Sequence, residues 1–177
     1  MTRRSVPTIA ATIAVALLAA SCGGGEDDAS GEIVPSVDAE AGDRLPDVDI
    51  VPLRGGETVS LADIDGPAVV NLWATWCAPC RREIPDFEAV HRARGDEVRF
   101  VGINIGEDAD DAAEFLDDVG ATYDQYLDSA GFVVTELRTA TMPVTLVLDA
   151  DGAISTKHLG PMDQDDLDAA IDEALAG

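Results

Sequence analysis

Residues 68–85 read Ala68-Val69-Val70-Asn71-Leu72-Trp73-Ala74-Thr75-Trp76-Cys77-Ala78-Pro79-Cys80-Arg81-Arg82-Glu83-Ile84-Pro85. The first six are almost uninterrupted apolar side chains, the pattern of a strand buried on both faces. From Cys77 to about Arg94 the spacing changes to that of a helix, with Ile84, Phe87 and Val90 on its apolar side. Gly95 suits the C-terminal end of that helix. Between the two elements sit two cysteines separated by two residues. A Cys-x-x-C pair at a strand-to-helix junction is the context that redox chemistry requires.

The spacing makes the two sulfurs close enough to bond and also unequal. Cys77 lies at the helix N-terminus, where unpaired backbone N–H groups and the helix dipole favour a thiolate. Cys80 is one turn on and points inward. A Cys77 thiolate that attacks a partner's disulfide forms a mixed disulfide, which Cys80 resolves. Pro79 lacks an N–H at a position where none is needed, and it stiffens the segment. Half a zinc site is the rival reading of Cys-x-x-C, but no second ligand pair accompanies it, and His91 and His158 stand alone. No metal and no cofactor are expected.

Outward from this string the chain alternates. Before it come a short apolar stretch at Val59–Leu61 and a turn at Gly66-Pro67. After it, residues 98–105 predict a second buried strand, and 108–119 predict a helix opened by acid and closed by Gly120. A short helix is expected over 132–137. Residues 144–148 and 154–158 predict strands joined by the turn Asp149-Ala150-Asp151-Gly152. Asp163 caps a last helix to Ala174, with Leu167, Ile171 and Leu175 as its inner stripe. This order is that of an α/β domain with helices covering a mixed central sheet.

The whole chain has 177 residues and fits one domain with an N-terminal addition. Its formal charge of −24, from 35 acidic and 11 basic side chains, repels phosphate backbones and makes nucleic acid a poor partner. Arg3 and Arg4 precede the apolar run Ile9 to Ala20, which is too short to span a bilayer. Ala19-Ala20-Ser21-Cys22 then resembles the bacterial lipoprotein signal, with Ala19 where Leu is usual. That resemblance implies a signal peptide over 1–21, a diacylated Cys22, and an exported protein anchored in the cell membrane, facing the extracytoplasmic space. An ordinary signal peptide is the alternative. Pro7 and the lack of a following Phe-Leu favour the general secretory route over the twin-arginine one. Of three cysteines, lipidation of Cys22 leaves one redox couple. Residues 23 to about 42 are small and acidic, and by composition read as a flexible tether with a reach of about 25 Å. The folded domain is expected over 43–177.

The string Asn71 to Pro85, continued by Val101-Gly102-Ile103-Asn104 and Thr141-Met142-Pro143-Val144-Thr145, resembles the thioredoxin-like TlpA/ResA/CcmG group of extracytoplasmic thiol–disulfide oxidoreductases. The resemblance runs from about Leu45 to Gly177 and implies a thioredoxin fold with an N-terminal β extension. It implies that Pro143 is the cis-proline facing the dithiol, leaving the Met142 backbone free to pair with a substrate strand. Pro85 matches the kink proline of the active-site helix. Trp76 lines the site, with Pro79 beside it. Glu83 matches a glutamate that exchanges a proton with the resolving thiol. An ordinary helix-surface role for Glu83 is the alternative. Asn71 stands where thioredoxin itself carries a buried aspartate, which shifts proton handling to Glu83 or to water. The group's usual task implies reduction of protein disulfides such as those of apocytochrome c, with electrons from a membrane donor protein. Two other functions compete. A peroxiredoxin-like peroxidase needs a proline before its threonine that is missing near Thr75, and a Sco-type copper carrier needs one more residue between its cysteines.

Overall fold

The computed structural model describes residues 41–177; Cys22 and the expected signal peptide lie outside the described residues. Ala68–Trp73 forms strand β3, with all six residues buried. It sits between Arg99–Ile105 (β4, parallel) and Val144–Leu148 (β6, antiparallel). Asp124–Asp128 (β5) extends the parallel part, and Ile154–Leu159 (β7) pairs with β6. Asp49–Pro52 (β1) and Val59–Ser60 (β2) add an antiparallel edge next to β5. The sheet order is β2-β1-β5-β4-β3-β6-β7. The expected β extension is this β1–β2 edge. At the start of the described residues, Gly42 N–H donates to the Ile154 carbonyl at 2.8 Å, and Ile154 N–H donates to that of Asp43.

Helices α1 (Ala78–Arg94), α2 (Ala109–Val119) and α4 (Gln164–Ala176) connect or follow strands, with the short α3 (Phe132–Glu136) before β6. Alternation along the strands separates two apolar layers. Val70, Leu72, Val101, Ile103, Val144 and Leu146 pack with Val133 of α3 and the β1–β2 region. Val69, Phe100 and Val147 pack beneath Phe87 and Val90 of α1 and Leu167 and Ile171 of α4. Trp73 anchors a third cluster with Cys77, Cys80, Ile84 and the α2 residues Ala112 and Leu116.

Two differences from the sequence reading have physical reasons. Strand β5 was not anticipated. Its sequence, DQYLD, has acids at both ends and is largely half-buried, so it lacks both the apolar run of β3 and a clean alternation. It is a strand because β4 and β1 supply backbone partners on either side. Leu175, expected on the inner stripe of α4, is 40% exposed. The buried set is Leu167, Ala170, Ile171 and Ala174. At 100° per residue Leu175 lies about a quarter turn from the middle of that set. The expected turn is seen: the Asp149 carboxylate accepts from the N–H of Asp151 and of Ala153, both at 2.9 Å. Gly120 ends α2 in the left-handed region, φ 69°, which favours glycine.

Candidate active site

The chain leaves β3 at Trp73 and turns through Ala74, Thr75 and Trp76 into the α1 N-terminus. One carboxylate holds this turn. Glu107, just past β4, accepts from Thr75 N–H at 2.8 Å, from the Thr75 hydroxyl, and from Asn104 Nδ2 at 2.6 Å. Cys77 is the N-cap of α1, and its Sγ accepts from Cys80 N–H at 3.3 Å. Cys77 and Cys80 form a disulfide, with Cα atoms 5.3 Å apart. Cys77 is 5% exposed and Cys80 fully buried, so Cys77 is the less enclosed of the two. Trp76, directly before it, is 63% exposed. Pro79 occupies the first turn of α1 and Pro85 lies inside the helix.

The Met142–Pro143 peptide is cis, as the resemblance implied. Met142 packs against the cluster that holds both cysteines. The Pro143 carbonyl accepts from Gly160 N–H. Among the described residues no backbone hydrogen bond engages Met142.

Glu83 is not a surface residue. It is 2% exposed, and being three positions after Cys80 it lies on the same side of α1. Its Oε1 accepts from Asn71 Nδ2 at 2.9 Å and its Oε2 from Met162 N–H at 3.1 Å. Burial pushes its carboxyl up to about 7, against the opposing effect of those two donors; nearby Asp86 adds to the rise. A cleft of about 260 Å³ lined by Pro79, Arg82, Asp86, Met162 and Asp163 borders Glu83 and opens to solvent. A carboxyl whose titration is raised to about 7 therefore sits one turn of α1 beyond Cys80, beside a cleft open to solvent.

Arg81 lies over the Phe115 ring, 5.1 Å from its centre, which ties it to α2. His158 Nε2 lies 3.1 Å from the Pro161 carbonyl, and His91 packs edge-on against Phe100 and Tyr123. Among the described residues no group of three or more His, Cys, Asp or Glu could hold a metal ion. Sequence reasoning missed the Glu107 clamp and the Met162 N–H. Glu107 carries no periodic signal, and Met162 reaches the site only because β7 and α4 bring it beneath α1.

Residues 40–175 match the Redoxin family over most of the chain. The chain belongs to that family. This thiol–disulfide oxidoreductase is 34% identical over 142 residues to the thiol:disulfide interchange protein HelX of Rhodobacter capsulatus, covering 78% of this chain and 79% of that one. It is 27% identical to the thiol–disulfide oxidoreductase ResA of Geobacillus kaustophilus, covering 74% and 76% of the two chains. Among solved structures, a DsbE-type interchange protein of Chlorobium tepidum superposes with a TM-score of 0.65 at 28% identity, over 77% of this chain and 99% of that one. A secreted thiol–disulfide isomerase of Corynebacterium glutamicum superposes with a TM-score of 0.66 at 27% identity, over 79% and 94%. The fold is thioredoxin-like, and the group is that of ResA, DsbE and HelX.

Proposed function

We propose that the protein reduces disulfides of other proteins outside the cytoplasm, with Cys77 as the attacking thiol and Cys80 as the resolving one. The observation that carries this reading is the asymmetry of the pair: Cys77 caps the N-terminus of α1 beside exposed Trp76 and keeps 5% exposure, while Cys80 is fully enclosed. In the reduced protein, N–H groups of the first turn of α1 stabilise the Cys77 thiolate. That thiolate attacks one sulfur of a substrate disulfide, and the other sulfur leaves as a thiolate that takes up a proton. Cys80, giving its proton to Glu83, then attacks Cys77 Sγ, releases the second substrate thiolate and closes the disulfide seen here. Glu83 passes its proton to solvent through the bordering cleft. Exposed Trp76 and the unused Met142 backbone receive an extended substrate segment, with Pro79 and Pro143 shaping the surface around the sulfurs.

Export and anchoring through a diacylated Cys22 are supported by the sequence before it, and a membrane protein would then return electrons. No helix of the described residues is long and apolar enough to cross a membrane. The resemblance names the haem-binding cysteines of apocytochrome c as the substrate class. The reading is tested with insulin and with a disulfide-bonded apocytochrome c peptide. Cys77→Ser should abolish reduction of both, and Cys80→Ser should accumulate mixed disulfides on a non-reducing gel. Turnover by Cys77→Ser at the wild-type rate refutes Cys77 as nucleophile.

A further inference from the structure

Four strands present a row of residues toward α1 at the level of Glu83. Backbone register aligns Thr145 with Asn71, Asn71 with Gly102, and Gly102 with Gln125. Asn71 is fully buried, and its Nδ2 is committed to Glu83 Oε1 at 2.9 Å and to Thr145 Oγ1 at 3.4 Å. Thr145 stands on the β6 side. The planar amide therefore turns Oδ1 the other way, toward β4. That oxygen is buried and has no partner among the described residues.

On the β4 side stands Gly102, and its missing side chain matters. A Cβ there would fall 2.2 Å from Gln125 Oε1 and 2.7 Å from Gln125 Nε2, so the Gln125 amide lies in the space a side chain would fill. Trp73 Nε1 donates to Gln125 Oε1 at 3.0 Å, which fixes the amide's orientation. Gln125 Nε2 is buried and makes no hydrogen bond of ordinary length. A donor on β5 and an acceptor on β3 thus lean toward each other across a glycine, on Cα atoms about 10 Å apart at two strand spacings. The Tyr123 hydroxyl, on the same face and two residues before Gln125, is also buried and makes no hydrogen bond of ordinary length, though it lies close enough to the Gln125 amide for that amide to favour its ionised form. A donor, an acceptor and a hydroxyl are the complement of one buried water molecule.

We propose that Gln125 is a positioning residue for Glu83: through a water held over Gly102 it binds Asn71 Oδ1 and so locks Asn71 with its Nδ2 facing the carboxylate. Without the lock the Asn71 amide is free to turn, and its oxygen would then face Glu83 and favour the protonated acid. The inference rests on Glu83 as the proton-handling group. The ionisable and charged groups around it are Arg82 and Asp86 on α1, Asp163 and Asp166 at the start of α4, and Tyr123 before β5.

Carbon-13 NMR of the Glu83 carboxyl, in the intact oxidised protein, reads the proton directly and needs no substrate. Gln125→Leu should raise the Glu83 midpoint by about half a pH unit or more, and Gly102→Ala, which displaces the same amide, should do likewise. Adding Gln125→Leu to Asn71→Ala should produce no further shift. An unchanged midpoint in both Gln125→Leu and Gly102→Ala overturns the proposal, as does a further shift on the Asn71→Ala background. A wild-type Glu83 that titrates as an ordinary carboxylate contradicts the proton role itself, which keeps the two failures distinct.

Discussion

Glu83 has a donor on each carboxylate oxygen, yet desolvation outweighs both bonds and brings its titration to about 7. Between its ordinary value of 4.5 and about 7, the folded protein holds a proton there that the unfolded chain has released. The stability from this site is full below pH 4.5, declines through that window and is gone above pH 7, a change of about 3 kcal/mol. Glu83→Gln cannot ionise, so it should gain on the wild type as the pH rises from 4.5 to 7. Urea unfolding of both proteins at pH 4 and pH 8 measures this, and a pH-independent difference contradicts it. The same substitution should slow the resolving step about a hundredfold and remove the inflection near pH 7 from its rate profile. At this scale the sequence was informative where chemistry is local. Two cysteines at a fixed spacing can be read directly, whereas the burial that weakens Glu83 as an acid, and the Asn71 and Met162 donors that oppose it, come from residues distant in sequence.

Among the elements, β3, α1, β4, α2 and the β6–β7 hairpin were legible because each carries its own periodicity or turn chemistry. Strand β5 was not, since its conformation comes from neighbours rather than from DQYLD. The junction between β3 and α1 has the same character. Its sequence announces a strand and a helix, while its shape depends on Glu107, 32 residues from Thr75. Glu107→Ala strips a charged acceptor from Thr75 and from fully buried Asn104. Unfolding free energy should fall by about 2–3 kcal/mol, and insulin reduction should slow as the turn before Cys77 loosens. Stability within about 0.5 kcal/mol of the wild type would show that the clamp is dispensable.

For the whole molecule, the described residues form a thioredoxin-like body whose dithiol lies at the start of α1 beside exposed Trp76, and the proposed attachment is an acidic tether from a lipidated Cys22. The chain's formal charge of −24 opposes adsorption to anionic lipid, so the proposed attachment rests on the acyl chains alone. Cys22→Ala should therefore move the protein from the membrane fraction to the soluble extracytoplasmic fraction while leaving insulin reduction unchanged; retention in the membrane contradicts the anchor. The family could be recognised from the active-site string because that string is both the fold's junction and its chemistry. The substrate could not, since the surface proposed to receive it, around Trp76 and Met142, carries no local pattern that selects one partner. The account as a whole depends on the inequality of two sulfurs. Limiting iodoacetamide applied to the reduced protein at pH 7, followed by peptide mass spectrometry, measures it directly. The prediction is that Cys77 takes up the label while Cys80 stays unmodified until the protein is unfolded; equal labelling, preferential labelling of Cys80 or no labelling of either in the folded protein would contradict it.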